Sequence, residues 1–220
     1  MKIARKSVVL GAVALLMATA AAAQTRSGGS GIPISKDRLG VSTTPSSTVA
    51  VVGGEVTLTT AFDLSAYVGK MNEKNITAHM AAGDSLEIQL GQLAQSKGTS
   101  QSIRDYGMML QNDHTAHLAK TWEIITDEDV GAEAMPYDPE RLRLREMLTK
   151  LRNMPASANW DAAFVRFQVG HHQNEIDLLS ANIKAAHDDD LEDHIEKTLT
   201  SLAKHRDQGK SVATGLGMTL

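Results

Sequence analysis

The stretch QNDHTAHL, Gln111 to Leu118, lies in the middle of a long segment whose apolar residues recur at helical spacing. That spacing puts His114 and His117 on one face, one turn apart, together with Ile103, Tyr106, Leu110, Thr121 and Ile125. Two histidines therefore point into a helical core. Three other segments each carry an ionisable side chain on their own apolar stripe: Glu87, the pair His172 and Glu175, and His205.

Outward from this stretch the chain reads as helices. Ile76, Met80, Gly83, Glu87, Leu90 and Ala94 share a face of a first helix, with Asn75 as its N-cap and Lys97-Gly98 as its end. A second helix runs from about Gln101 to Thr126 and stops at DEDVGAEAMPYDP. A short amphipathic helix, about Pro139 to Asn153, carries Leu142, Met147 and Leu151. A third long helix, Trp160 to about Ala186, buries Phe164, Gln168, His172, Glu175, Leu179 and Ile183. After His187, Asp188 to Asp190 suit the N-terminus of a fourth, which runs to about Val212 with Leu191, Ile195, Leu202, His205 and Gly209 on its face. Tyr106 and Trp122 read as core aromatics, and Met108-Met109 as packing.

The fold expected is all-α: a four-helix bundle whose long central connection, with its own short helix, returns along the bundle as in ferritin-like folds. An up-down-up-down bundle with a bulky second loop is the alternative. With the crossover, the second and third helices are parallel. At 1.5 Å per residue, His114 and His172 then lie roughly 20 Å along their helices, His205 roughly 18 Å and Glu87 roughly 15 Å. One residue from each long helix falls near a common layer. Imidazole and carboxylate suit Zn, Fe, Mn, Ni or Cu. The expectation is one transition-metal ion held by Glu87, His114, His172 and His205, with Asp113, His117 and Glu175 as further candidates. The competing expectation is a metal-free polar network in which the histidines satisfy one another and Glu87. His79 lies at the flank of the first stripe, and His171, His187 and His194 read as solvated or orienting. No phosphate-binding glycine loop, G-x-S-x-G or H-E-x-x-H motif is present, and no catalytic residue is assigned.

The segments AAGDSLEIQLGQLA, MLQNDHTAHL, FVRFQVGHHQNEIDLL and KTLTSLAKH, in that order, resemble the exported bacterial family called domain of unknown function 4142. The resemblance covers roughly Asn75 to Val212 and implies a ferritin-like fold. The family's recurring polar positions correspond to Glu87, Asp113-His114, His172-Gln173 and His205. Thr200 stands where the family often has proline. The two Glu-x-x-His motifs of metal-oxidising ferritins are missing. With Glu87 and Glu175 as the interior carboxylates, a mononuclear histidine-rich site is expected rather than a dinuclear one.

Residues 1–23 read as a cleaved export signal: Lys2, Arg5 and Lys6, then the apolar run Val8 to Ala18, then Ala21-Ala22-Ala23. This places the protein in the periplasm or outside the cell, free or associated with the envelope. The alternative is an uncleaved N-terminal anchor. After cleavage no segment approaches the roughly 18 apolar residues of a membrane span. Removing the leader takes the net charge from −4 to −7, which argues against nucleic acid as partner. No partner protein or oligomeric state is legible. The chain has no cysteine, so thiol catalysis and Cys-based zinc sites are excluded. Residues 24–60, rich in Ser, Thr, Gly and Pro, read as a disordered linker in which Ser47 to Leu58 could form a strand without a partner. Residues 61–220 form the bundle domain. A non-catalytic envelope or stress-related scaffold with a polar core is the alternative function. A chain beginning near Ala61 should keep its helical circular dichroism and its melting temperature; a fall of more than a few degrees would mean that the linker packs on the bundle.

Overall fold

The computed structural model describes residues 50–52, 55–57, 67, 69–127, 130–135 and 137–220. The leader and most of the linker lie outside the described residues. Within the linker, β1 (Ala50–Val52) pairs antiparallel with β2 (Glu55–Thr57), so the 47–58 run finds its strand partner within itself. The rest is helical: α1 (Glu73–Lys97), α2 (Gln101–Asp127), α3 (Pro139–Asn153), α4 (Ala158–Asn182) and α5 (Asp189–Gly215), with a 3₁₀ turn at Ile183–Ala185 after α4.

Local chemistry fixes the helix starts. The N-cap of α1 is Asn72, not Asn75: Asn72 Oδ1 accepts from Asn75 N at 2.9 Å, and the Asn75 side chain accepts from Asn72 N. Asn75 is thus the reciprocal partner of a capping box. Asp138 caps α3, where Pro139 takes the first helical position, for which its fixed φ is suited. Ser157 caps α4 and Asp188 caps α5.

Residue pairs between helices define their directions. Along α1 and α4, Thr99 meets Asp161, Glu87 meets Gln168, His79 meets Glu175, and Met71 meets Asn182, so these helices are antiparallel. Along α2 and α5, Tyr106 and Asp113 meet His205, His117 meets Ser201, and Thr121 meets His194, again antiparallel. Since α1 and α2 are also antiparallel, with Gly91 against Gly107 and Asp84 against His114, α2 and α4 run parallel. Their connection carries α3, which packs against α1 and α4.

The long helices cross three zones. One apolar cluster holds Leu90, Ile103, Tyr106, Leu110, Trp160, Phe164 and Val212; the other holds Ile76, Met80, Ile124, Leu179, Leu191 and Ile195. Between them α1, α2, α4 and α5 present Asp84 and Glu87, His114, His171, His172 and Glu175, and His205, all buried. Several expected core positions differ. Ile124 is buried where Ile125 was expected, because the stripe follows the three-residue step from Thr121. Trp122, 52% exposed, lies one residue off that stripe, and Met108 is also exposed. Leu142 is 42% exposed because α3 buries the face of Leu144, Leu148 and Leu151 instead.

The α1–α2 register is set by backbone contact. A Cβ at Gly107 would lie 2.5 Å from Ala94 Cβ and 2.7 Å from Gly91 O. Gly107→Ala should therefore destabilise by about 1–3 kcal/mol, the usual cost of overpacking. Gly83 has nothing within 4 Å of such a Cβ. Gly83→Ala should stabilise by about 0.5–1 kcal/mol through helix propensity. Urea denaturation of the two variants checks both signs.

Candidate metal centre

His114 on α2, His172 on α4 and His205 on α5 converge between the two apolar clusters. Each offers a ring nitrogen, and the three lie within 4.8 Å of one another. Ring centroids are 5.8 Å apart for His114–His172, 5.1 Å for His114–His205 and 5.2 Å for His172–His205. One nitrogen of each ring is tied to an acceptor. His172 Nδ1 donates to Gln168 O at 2.7 Å, and because a carbonyl only accepts, that nitrogen carries the proton. His205 Nε2 pairs with Asp113 Oδ2 at 2.9 Å, and His114 Nδ1 with Asp84 Oδ1 at 2.8 Å. The opposite nitrogens, His114 Nε2, His172 Nε2 and His205 Nδ1, are buried without a hydrogen-bond partner.

The electrostatics favour neutral rings. Burial pulls the His172 imidazole well below its usual value, and the neighbouring rings of His171, His205 and His114 add to this. Burial and His114 bring His205 down to about 4, and burial lowers His114. Asp113 stays below the usual carboxylate range: its partial burial is outweighed by the bond from His205. Neutral imidazoles with one nitrogen anchored and the other free could hold a metal ion, with their orienting partners already in place.

Glu87 lies beside this triad, not in it. Its Oε2 accepts from Gln168 Nε2 at 2.8 Å, and its unpartnered Oε1 lies 3.5 Å from His171 Nε2. With Asp84, His114, His171 and Glu175 it lines a small cavity that accommodates a water-sized group. Of the further candidates, Asp113 orients His205. His117 is half-buried, near Asp84 and His114, and bonds Ser201. Glu175 binds His79 Nε2 at 2.9 Å.

Three histidines read as peripheral are buried. His79 bridges Glu175 and Asp138; burial opposes its charge, but the two carboxylates hold it well above its usual value. His171 Nδ1 lies 2.6 Å from Glu140 Oε1, and that bond outweighs burial to raise it. His194 bonds Thr121, and burial takes it down to about 4. His187 is exposed. The interior carboxylates are also more numerous than Glu87 and Glu175: Asp84, Asp138, Glu140 and Asp161 are buried as well. Asp84 was legible in the sequence, three residues before Glu87 on the same helical face. Asp138 and Glu140 were not, because only the docking of α3 brings them inside.

Asp84 carries a pH dependence. Burial pushes it up to about 8, against 3.8 for the ordinary group. The native state therefore holds a proton that the unfolded chain releases, and this contribution to stability falls as pH rises from about 4 to 8. In metal-free protein, Asp84→Asn should flatten the decline in stability between pH 5 and 8, as urea midpoints will show. An unchanged slope would mean that Asp84 titrates normally.

No curated protein and no solved structure matches this chain. A family model, domain of unknown function (DUF4142), matches residues 62–212, which takes in α1 to α4, α5 as far as Val212 and every residue of the histidine cluster. The chain belongs to that family.

Proposed function

We propose that this is an exported, ferritin-like helical-bundle protein that binds one transition-metal ion through His114, His172 and His205. The observation that carries the reading is the set of three buried, unpartnered ring nitrogens on three helices, each opposite an anchored nitrogen. Left empty, they are three desolvated ring nitrogens with no compensating bond, a cost of about 1–3 kcal/mol each. The donor set fits Zn, Cu, Ni or Fe, for which imidazole is a suitable ligand. Three protein ligands leave a further position open, and a cation held that way supplies Lewis acidity. The chain's own residues orient the rings through Asp84, Gln168 and Asp113, and Glu87 lines the adjacent cavity. The ferritin-like reading is supported by the parallel course of α2 and α4 around the α3-bearing connection. Export is supported by the basic and then apolar leader; no helix among the described residues is long and apolar enough to cross a membrane.

A metal-free scaffold is favoured by one part of the interior. In the His79–Asp138–Glu175 group both nitrogens of His79 are paired with carboxylates. That reading leaves the triad unexplained.

The test is metal content and thermal melting of protein purified without an affinity tag. A cation bound only by the native state stabilises it by about 2.7 kcal/mol at a hundredfold excess over Kd. Chelation should lower the melting temperature, and His172→Ala should abolish that response. Affinity should rise with pH up to about 8, because His114 needs an ionised Asp84 to hold its Nδ1 proton. Chelator-insensitive melting of protein shown to be loaded would remove the metal and leave the scaffold.

A further inference from the structure

A second group of donors lies on the other side of His172, where α3 docks on α4. Glu140, His171 and Glu175, all buried, each offer one donor atom within 4.8 Å of the other two. Neither His114, His172 nor His205 belongs to this group. Two carboxylate oxygens at its margin are buried and unpartnered: Glu140 Oε2 and Glu87 Oε1, on residues each 1% exposed. Glu87, His171 and Glu175 line the same small cavity, together with Asp84 and His114. We propose that Glu140, His171 and Glu175, with Glu87 at hand, form a second cation site that shares no donor with the histidine triad and accepts an oxygen-preferring divalent ion such as Mn²⁺.

The chemistry of the donors sets the class. Two carboxylates and one imidazole, with the Glu87 carboxylate 3.5 Å from His171, are a harder ligand set than three imidazoles and suit Mn²⁺ better than the triad does. The carboxylates of Glu87, Glu140 and Glu175 crowd a buried region in which His171 lies 2.6 Å from Glu140, His79 2.9 Å from Glu175 and Arg143 3.6 Å from Glu140. An incoming divalent ion would take the place of the His171 proton. A divalent ion would give the two free oxygens the partner they lack. Glu140 comes from α3, the helix of the connection. Occupancy would therefore tie that helix to α4 at the site.

The site has no donor in common with the triad, which makes it testable on its own. Full-length protein, freed of metal by chelator and dialysis, is titrated with Mn²⁺ and followed by electron paramagnetic resonance, as wild type and as His205→Ala. Both should bind Mn²⁺, and Glu140→Gln in the His205→Ala background should weaken it by about tenfold or more. Absence of Mn²⁺ binding in His205→Ala, or indifference to Glu140→Gln, overturns the proposal. If Glu140→Gln loses its helical circular dichroism, wild-type crystals soaked in Mn²⁺ decide. An anomalous peak between Glu140, His171 and Glu175 supports the site; no peak, or one at the histidine triad alone, overturns it. Zn²⁺ affinity unchanged by His205→Ala would count against the triad and leave this second site standing.

Discussion

The interior of this protein is organised by a desolvated polar layer between two apolar clusters. Burying an imidazole or a carboxylate costs free energy unless each of its polar atoms finds a partner. Most atoms of this layer do: Gln168 O and Asp113 hold two rings, and Asp138, Glu140 and Glu175 hold two others. The exceptions are concentrated. Three ring nitrogens are unpartnered in rings that each bring a donor within 4.8 Å of the others, and carboxylate oxygens of Asp84, Glu87 and Glu140, with His117 Nδ1, Gln168 Oε1 and Thr198 Oγ1, are left over as well. The fold has gathered donors where a cation could sit.

The surrounding packing holds that layer in register. Gly91 and Gly107 let α1 and α2 touch backbone to backbone, which places Asp84 opposite His114. At Gly209 a Cβ would lie 2.8 Å from Val169 and 2.9 Å from the Tyr106 hydroxyl, so α5 approaches α2 and α4 closely. The same Tyr106 hydroxyl donates to His205 O, one residue type linking the apolar cluster to the polar layer. Lys97 donates to the carbonyls of Leu151, Arg152 and Met154, fastening the end of α3 near the α1–α2 turn. The start of α3 is held by His79 on Asp138 and His171 on Glu140. The connection is thus docked at both ends, and its acidic start becomes part of the interior.

Much of this was legible in the sequence because helical periodicity reports directly on burial. The stripe through Ile103, Tyr106, Leu110 and His114 follows from residue spacing, and the shared depth of His114, His172 and His205 from the helical rise once the crossover is assumed. Where spacing gave no guide, the reading failed. Trp122 was assigned to the core for its aromatic character, although it sits off the stripe. His79 and His171 lie at stripe margins, and whether a margin is wet depends on what covers it. Here α3 covers His171, and the N-cap Asp138 reaches His79. Those contacts span 31 and 59 residues, beyond any local pattern. Glu87 illustrates a finer limit: its burial was readable, but its turn toward Gln168 and His171 depends on side-chain packing.

The central claim is that the three free nitrogens of His114, His172 and His205 are a metal's ligands. The most direct measurement is X-ray absorption at the zinc edge on protein loaded with one equivalent of Zn²⁺. The account predicts a first shell dominated by nitrogen at about 2.0–2.1 Å, with the outer-shell scattering of three imidazoles. A first shell of oxygen alone, or imidazole scattering that survives replacement of all three histidines, would contradict it.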